Sequence, residues 1–117
     1  MKFVLKRLDS FKYAFSGIWT MVKSEKNAQI HLFSSLFIIS IGIIYQISKL
    51  EWYAIILCIA LVWMAELLNT AIEVLADVVS PEIHPSIKTV KDIAAGAVLI
   101  SAMASLIIGI MIFYPKI

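Results

Sequence analysis

Four polar residues interrupt an otherwise apolar stretch: Glu66, Asn69, Glu73 and Asp77, within Glu66-Leu67-Leu68-Asn69-Thr70-Ala71-Ile72-Glu73 and the turn after it. Their spacings of three, four and four put all of them on one face of a helix. A carboxylate in a lipid-facing span is costly, so such residues turn towards the bundle interior and mark a functional site. Clustered carboxylates suit a hard divalent cation such as Mg²⁺, which takes one or two protein oxygens and completes its shell with water and nucleotide phosphates. Glu25 falls at the same expected level, just before an earlier apolar run, and could share the metal with Glu73. Lys91 could pair with a phosphate, and Asp92 beside it could orient that lysine. The plainer alternative makes Lys91 a membrane-interface anchor and Asp92 a helix cap.

Other candidates are less specific. His31 lies inside an apolar run, where a hydrogen bond to a neighbouring helix is the frequent role. His84, between Pro81 and Pro85, is expected to be exposed, facing either a nucleotide or simply solvent. The four glycines, Gly17, Gly42, Gly96 and Gly109, are scattered, so there is no glycine-rich phosphate loop. Cys58 is the only cysteine, which excludes an intrachain disulfide or a cysteine-based metal site.

The elements that must carry these residues follow from composition. Of 117 residues 62% are hydrophobic and only 15% charged, with mean hydropathy +0.95. Soluble domains run about 45–50% apolar, so the surplus must face lipid. Residues 28–47, 52–79 and 93–114 form three apolar runs, each long enough for the roughly 20 helical residues that cross a bilayer core. The second, about 42 Å long as a helix, should project beyond the hydrocarbon. Residues 48–51 form a short link. Residues 80–92 form a longer polar one, with Pro81 and Pro85 expected to keep it non-helical.

Eight of the ten basic residues lie before the first run or in the second link, which predicts a cytoplasmic N-terminus and a C-terminus outside. Charges at Lys2, Lys6, Arg7, Asp9 and Lys12 break up the start, so it is expected to be retained rather than cleaved as a signal peptide. Within residues 3–24, Val4, Leu8, Phe11, Phe15, Ile18 and Val22 make one helical stripe, the pattern of an amphipathic helix lying in the membrane interface, packed against the transmembrane bundle, or both. The sequence therefore predicts an all-α integral membrane protein, one domain over residues 1–117, with three transmembrane helices and an N-terminal interfacial helix.

The stretch from Glu66 to Asp77, followed by Lys91-Asp92 and an alanine-rich span, resembles the prokaryotic diacylglycerol kinase family, which includes undecaprenol kinases of Gram-positive bacteria. The segments Phe11 to Ile18 and Glu25-Lys26-Asn27-Ala28-Gln29-Ile30-His31-Leu32 are similar to it as well. The resemblance covers nearly the whole chain. It implies a homotrimer in the bacterial plasma membrane, with active sites between protomers near the cytoplasmic surface, using ATP and Mg²⁺. It implies Glu66 as base on the lipid hydroxyl and Asn69 as its positioning partner. Glu25 and Glu73 would bind the metal, and Lys91 and Asp92 would handle the phosphates. Asp77, Tyr13, Glu82 and His84 match nucleotide-site positions, and Lys6 matches a basic nucleotide contact, with adjacent Arg7 as the alternative. The run Asn27 to His31 looks more like the Gram-positive branch, which points to undecaprenol ahead of diacylglycerol as the lipid alcohol. A proton-coupled transporter using Glu66 would need neither Lys91 nor acids at one membrane face. A non-catalytic scaffold would leave the polar stripe unexplained.

Overall fold

The computed structural model describes residues 1–117 as four helices: α1, Lys2–Ser24; α2, Lys26–Ile44; α3, Lys49–Val79; and α4, Pro85–Phe113. A single 3₁₀ turn, Tyr114–Lys116, follows α4. Three of the helices, α2, α3 and α4 with its terminal turn, are long and apolar enough to cross a membrane. The chain is an all-helical, multi-pass membrane protein.

Each connection has a local cause. Between α1 and α2 only Glu25 leaves helical geometry, with an extended backbone (φ −100°, ψ 123°). The Gln29 amide donates back to the Val22 carbonyl at 3.2 Å, satisfying an end carbonyl of α1 and fixing the corner. Met21 and Ala28 are buried there, one on each side of the bend.

The first span was expected to reach residue 47, but α2 stops at Ile44. Gln46 adopts the left-handed conformation (φ 51°). Its N–H donates to the Ile43 carbonyl and that of Ile47 to the Gly42 carbonyl, both at 3.2 Å, in the paired pattern that closes a Schellman ending. A non-glycine residue there costs about 1–2 kcal/mol. Ile47, buried by this fold-back, contributes the offsetting apolar contact. Gly42 is what leaves room for it: a Cβ at that position would come within 2.8 Å of the Trp52 ring and 3.2 Å of the Ile47 side chain.

α3 begins at Lys49, three residues before the expected start, because Ser48 and Glu51 form a capping box. The Ser48 hydroxyl accepts from the Glu51 N–H at 3.2 Å, and the Glu51 carboxylate accepts from the Ser48 N–H at 2.9 Å. The largest departure lies in the second link. Only Ser80 to His84 is non-helical, and residues 85–92, expected as link, are the first two turns of α4. Pro81 does break the chain, but Pro85 starts a helix, since a first-turn proline has no N–H to lose. His84 caps that helix through Nδ1, which accepts from the Ser86 N–H at 3.1 Å.

The spans run antiparallel in sequence order, so the start of α2, the end of α3 and the start of α4 share one end of the bundle. At the other end Ile47, Ile55, Ile112 and Phe113 form the small apolar core. There Lys116 pairs with Glu51 at 3.1 Å, and the Tyr45 and Phe113 rings meet edge to face. Only 12 of 117 residues are buried in the single chain, so most of its apolar surface must be covered by lipid or by other chains.

Candidate active site

α3 carries the polar stripe in the order the sequence predicts, and burial grades along it. Glu66 is 3% exposed and Asn69 is 9% exposed. Glu73, two turns beyond Glu66, is half-buried, and Asp77 is exposed. The stripe therefore runs from the apolar interior to the open end of the bundle.

Each member has a different partner. Glu66 Oε2 stands 3.3 Å from Nε2 of His31 on α2. The Asn69 amide nitrogen donates to Glu73 Oε1 over a long 3.5 Å. Its carbonyl oxygen is buried with no partner at all. A buried acceptor left empty is a cost the fold keeps only where something else fills it.

The Lys91-Asp92 pair behaves differently from expectation. The Lys91 ammonium reaches across from α4 to Asp77 on α3 at 2.6 Å, not to its neighbour Asp92. Asp92 pairs with Lys88, one turn earlier on α4, also at 2.6 Å. Consecutive residues on a helix point about 100° apart, so Asp92 cannot orient Lys91. Asp92 is also not a helix cap, since α4 is already two turns old at that point. Asp77 is the carboxylate that holds Lys91. Exposed pairs like these add little to stability, so their effect is on where the charges sit.

Glu25 is half-buried at the α1–α2 corner. Glu82 and His84 lie exposed in the link between α3 and α4, His84 with Nδ1 committed to its cap. Lys6 and Tyr13 are exposed on α1, which makes no contact with α4. Arg7 lies over the Phe3 ring, 5.0 Å from its centroid, while Lys6 has no ion-pair partner. One chain thus gathers Glu66, Asn69, Glu73, Asp77 and Lys91, and leaves Lys6 and Tyr13 outside the group. No three His, Cys, Asp or Glu side chains converge tightly enough to hold a metal unaided.

Two contacts were not legible beforehand: His31 with Glu66, and Lys91 with Asp77. Both pairs join neighbouring helices of a hairpin, but each is out of step with its turn: His31 lies 13 residues before the end of α2 and Glu66 17 after the start of α3, while Asp77 lies 2 before the end of α3 and Lys91 6 after the start of α4. Counting residues from the turn therefore does not find them.

The fold and this stripe define a membrane protein whose ionisable groups gather towards one end of three apolar helices. Residues 12–113 match the family model for prokaryotic diacylglycerol kinase. An undecaprenol kinase of Bacillus subtilis is 42% identical over 107 residues, covering 92% of this chain and 87% of that protein. A diacylglycerol kinase of Synechocystis is 35% identical over 109 residues, covering 92% of this chain and 62% of that protein. The chain belongs to the prokaryotic diacylglycerol kinase family, and it is a lipid kinase.

Proposed function

We propose that the chain transfers the γ-phosphate of ATP to undecaprenol at the cytoplasmic face of the bacterial plasma membrane. The observation that carries this reading is the graded stripe: a buried Glu66 within the apolar span, and a half-buried Glu73 two turns nearer its end. A lipid alcohol can keep its tail in the bilayer while its hydroxyl meets Glu66. A nucleotide, being charged, can enter only from the open end. Undecaprenol is favoured over diacylglycerol because the run Asn27 to His31 follows the Gram-positive pattern. The undecaprenol kinase is also the more similar of the two relatives named above.

The residues present suit Mg²⁺. Glu25 and Glu73 offer carboxylate oxygens, the hard donors this ion takes, and the buried, unpartnered carbonyl of Asn69 on the same face of α3 is a further oxygen acceptor. Glu25 and Glu73 would hold the ion, which when bound offsets the negative charge of the nucleotide phosphates. Glu66 accepts the proton of the lipid hydroxyl as that oxygen attacks the γ-phosphorus. Asn69, on the next turn, sets the approach of the hydroxyl. Lys91, steadied by Asp77, offers its ammonium to the phosphates, and Asp92, Glu82 and His84 border the nucleotide at the same end.

Lys6 and Tyr13 are too remote from α4 to complete that site within one chain. A homotrimer, with α1 of one protomer closing the site of the next, would bring them in and cover the exposed apolar surface of the spans. The exposed stripe Val4, Leu8, Phe11 and Phe15 fits α1 lying in the membrane interface. Eight of ten basic residues belong to the α1 end of the bundle, which supports a cytoplasmic N-terminus and an outer C-terminus.

Two measurements bear on this reading. With labelled ATP and both lipids in the same micelles, label should enter undecaprenol in preference to diacylglycerol. Preferential labelling of diacylglycerol would reverse the choice of lipid. Lys91→Ala should raise the KM for ATP and lower activity by about one to two decades, since a contact to a charged group contributes about 1.5–3 kcal/mol. Unchanged ATP kinetics would return Lys91 to the role of interface anchor.

A further inference from the structure

The contact between His31 and Glu66 is used by none of the roles above. α2 lies only lightly against α3, and two polar bridges, one turn apart, tie them together. In the first, Trp63 Nε1 on α3 donates to Ser35 Oγ on α2 at 3.0 Å, and Ser35 Oγ donates to the His31 carbonyl at 2.7 Å. In the second, His31 Nε2 meets Glu66 Oε2 at 3.3 Å. Trp63 and Glu66 are three residues apart on α3, and His31 and Ser35 four apart on α2, so both bridges lie along one seam.

Glu66 has few alternatives. Asn69 directs its amide to Glu73, and Lys91 directs its ammonium to Asp77. No lysine or arginine occurs between Lys49 and Lys88. No other ion pair reaches the Glu66 carboxylate. Glu66 Oε2 therefore has His31 Nε2 as its one polar neighbour across the seam, and Oε1 has no hydrogen-bond partner in the chain. Released from its partner, the carboxylate can turn among side-chain rotamers.

We infer that His31 is a positioning residue for the phosphoryl transfer: its Nε2–H fixes Glu66 Oε2, so that Oε1 faces the lipid hydroxyl. The Trp63–Ser35 bridge sets the height of His31 against α3. The inference rests on Glu66 being the proton acceptor. Its consequence is kinetic, because misplacing a reacting group by about 1 Å can cost 10²-fold in rate without altering substrate binding. A His31 that merely packs would affect the yield of folded protein. A His31 that touched the lipid would raise the KM for lipid.

The test is steady-state kinetics of the full-length protein, normalised to the fraction that binds MgATP calorimetrically. His31→Ala should lose about 10- to 100-fold in kcat, with KM for both substrates little changed. His31→Gln, whose amide nitrogen can reach the same carboxylate oxygen, should recover most of that loss. His31→Asn, too short to reach it, should not. Comparing those two variants keeps the question open to decision even if His31→Ala fails to assemble. Full kcat in His31→Ala or His31→Asn, beside an inactive Glu66→Gln, overturns the positioning role alone. So does a loss that Gln does not repair and that appears mainly in the KM for lipid. Retained turnover in Glu66→Gln instead removes the acceptor that His31 would position, and with it the base assignment.

Discussion

Glu66→Gln should lower lipid phosphorylation by about 10²- to 10⁴-fold, the range a positioned general base contributes, while MgATP affinity stays unchanged. The substitution is nearly isosteric, and it removes a charge from a site that is 3% exposed, so packing around α3 should survive. The amide oxygen can still accept from His31 Nε2, but it cannot take the hydroxyl proton. The groups proposed for the nucleotide side, Glu73, Asp77 and Lys91, lie about two turns or more along α3 or, for Lys91, on α4 and paired with Asp77. Turnover is measured as labelled phosphate entering lipid, and affinity by calorimetry on the same preparation. Turnover within a few-fold of the unsubstituted protein would deprive the stripe of its base.

Glu73→Gln should produce the complementary loss. Glu73 lies about 10 Å along the axis from Glu66, nearer water, and half-buried beside Asn69. Its amide replacement can keep the long contact with the Asn69 nitrogen, so the local fold should hold. What goes is the negatively charged oxygen proposed for the metal, and MgATP should bind about 10- to 100-fold more weakly, the loss typical of a disturbed metal shell. Raising Mg²⁺, or substituting Mn²⁺, should restore part of the affinity by mass action. Weakened binding that ignores the metal concentration would place Glu73 elsewhere in the mechanism.

The sequence carried the membrane class and the stripe because both depend on local regularities. Apolar runs of bilayer length need no partner to be recognised, and the positions 66, 69, 73 and 77 share a face whatever packs against it. The same holds for α1, whose apolar residues recur with helical spacing. Helix ends were less legible where backbone detail decided them. α2 ends early because Gln46 turns left-handed and Ile47 folds back over Gly42, a choice that neither residue type favours by itself. α4 starts early because Pro85 initiates a helix where Pro81 ends one. Sequence adjacency points Lys91 to Asp92, but adjacency in sequence is not adjacency on a helix. Asp77, fourteen residues back and across the hairpin, is the one in reach. His31 was ambiguous until α2 and α3 were placed side by side.

The division of labour between the two glutamates is tested most directly by measuring both quantities on both variants together. Calorimetric MgATP binding and lipid phosphorylation are recorded for the unsubstituted protein, Glu66→Gln and Glu73→Gln, across a range of Mg²⁺ concentrations. The expected result is a crossed pattern. Glu66→Gln binds MgATP normally and fails to transfer phosphate at any Mg²⁺ concentration. Glu73→Gln binds weakly and regains transfer as Mg²⁺ rises. The opposite crossing, with Glu66→Gln losing nucleotide and Glu73→Gln keeping it, would contradict the assignment of base and metal ligand along α3.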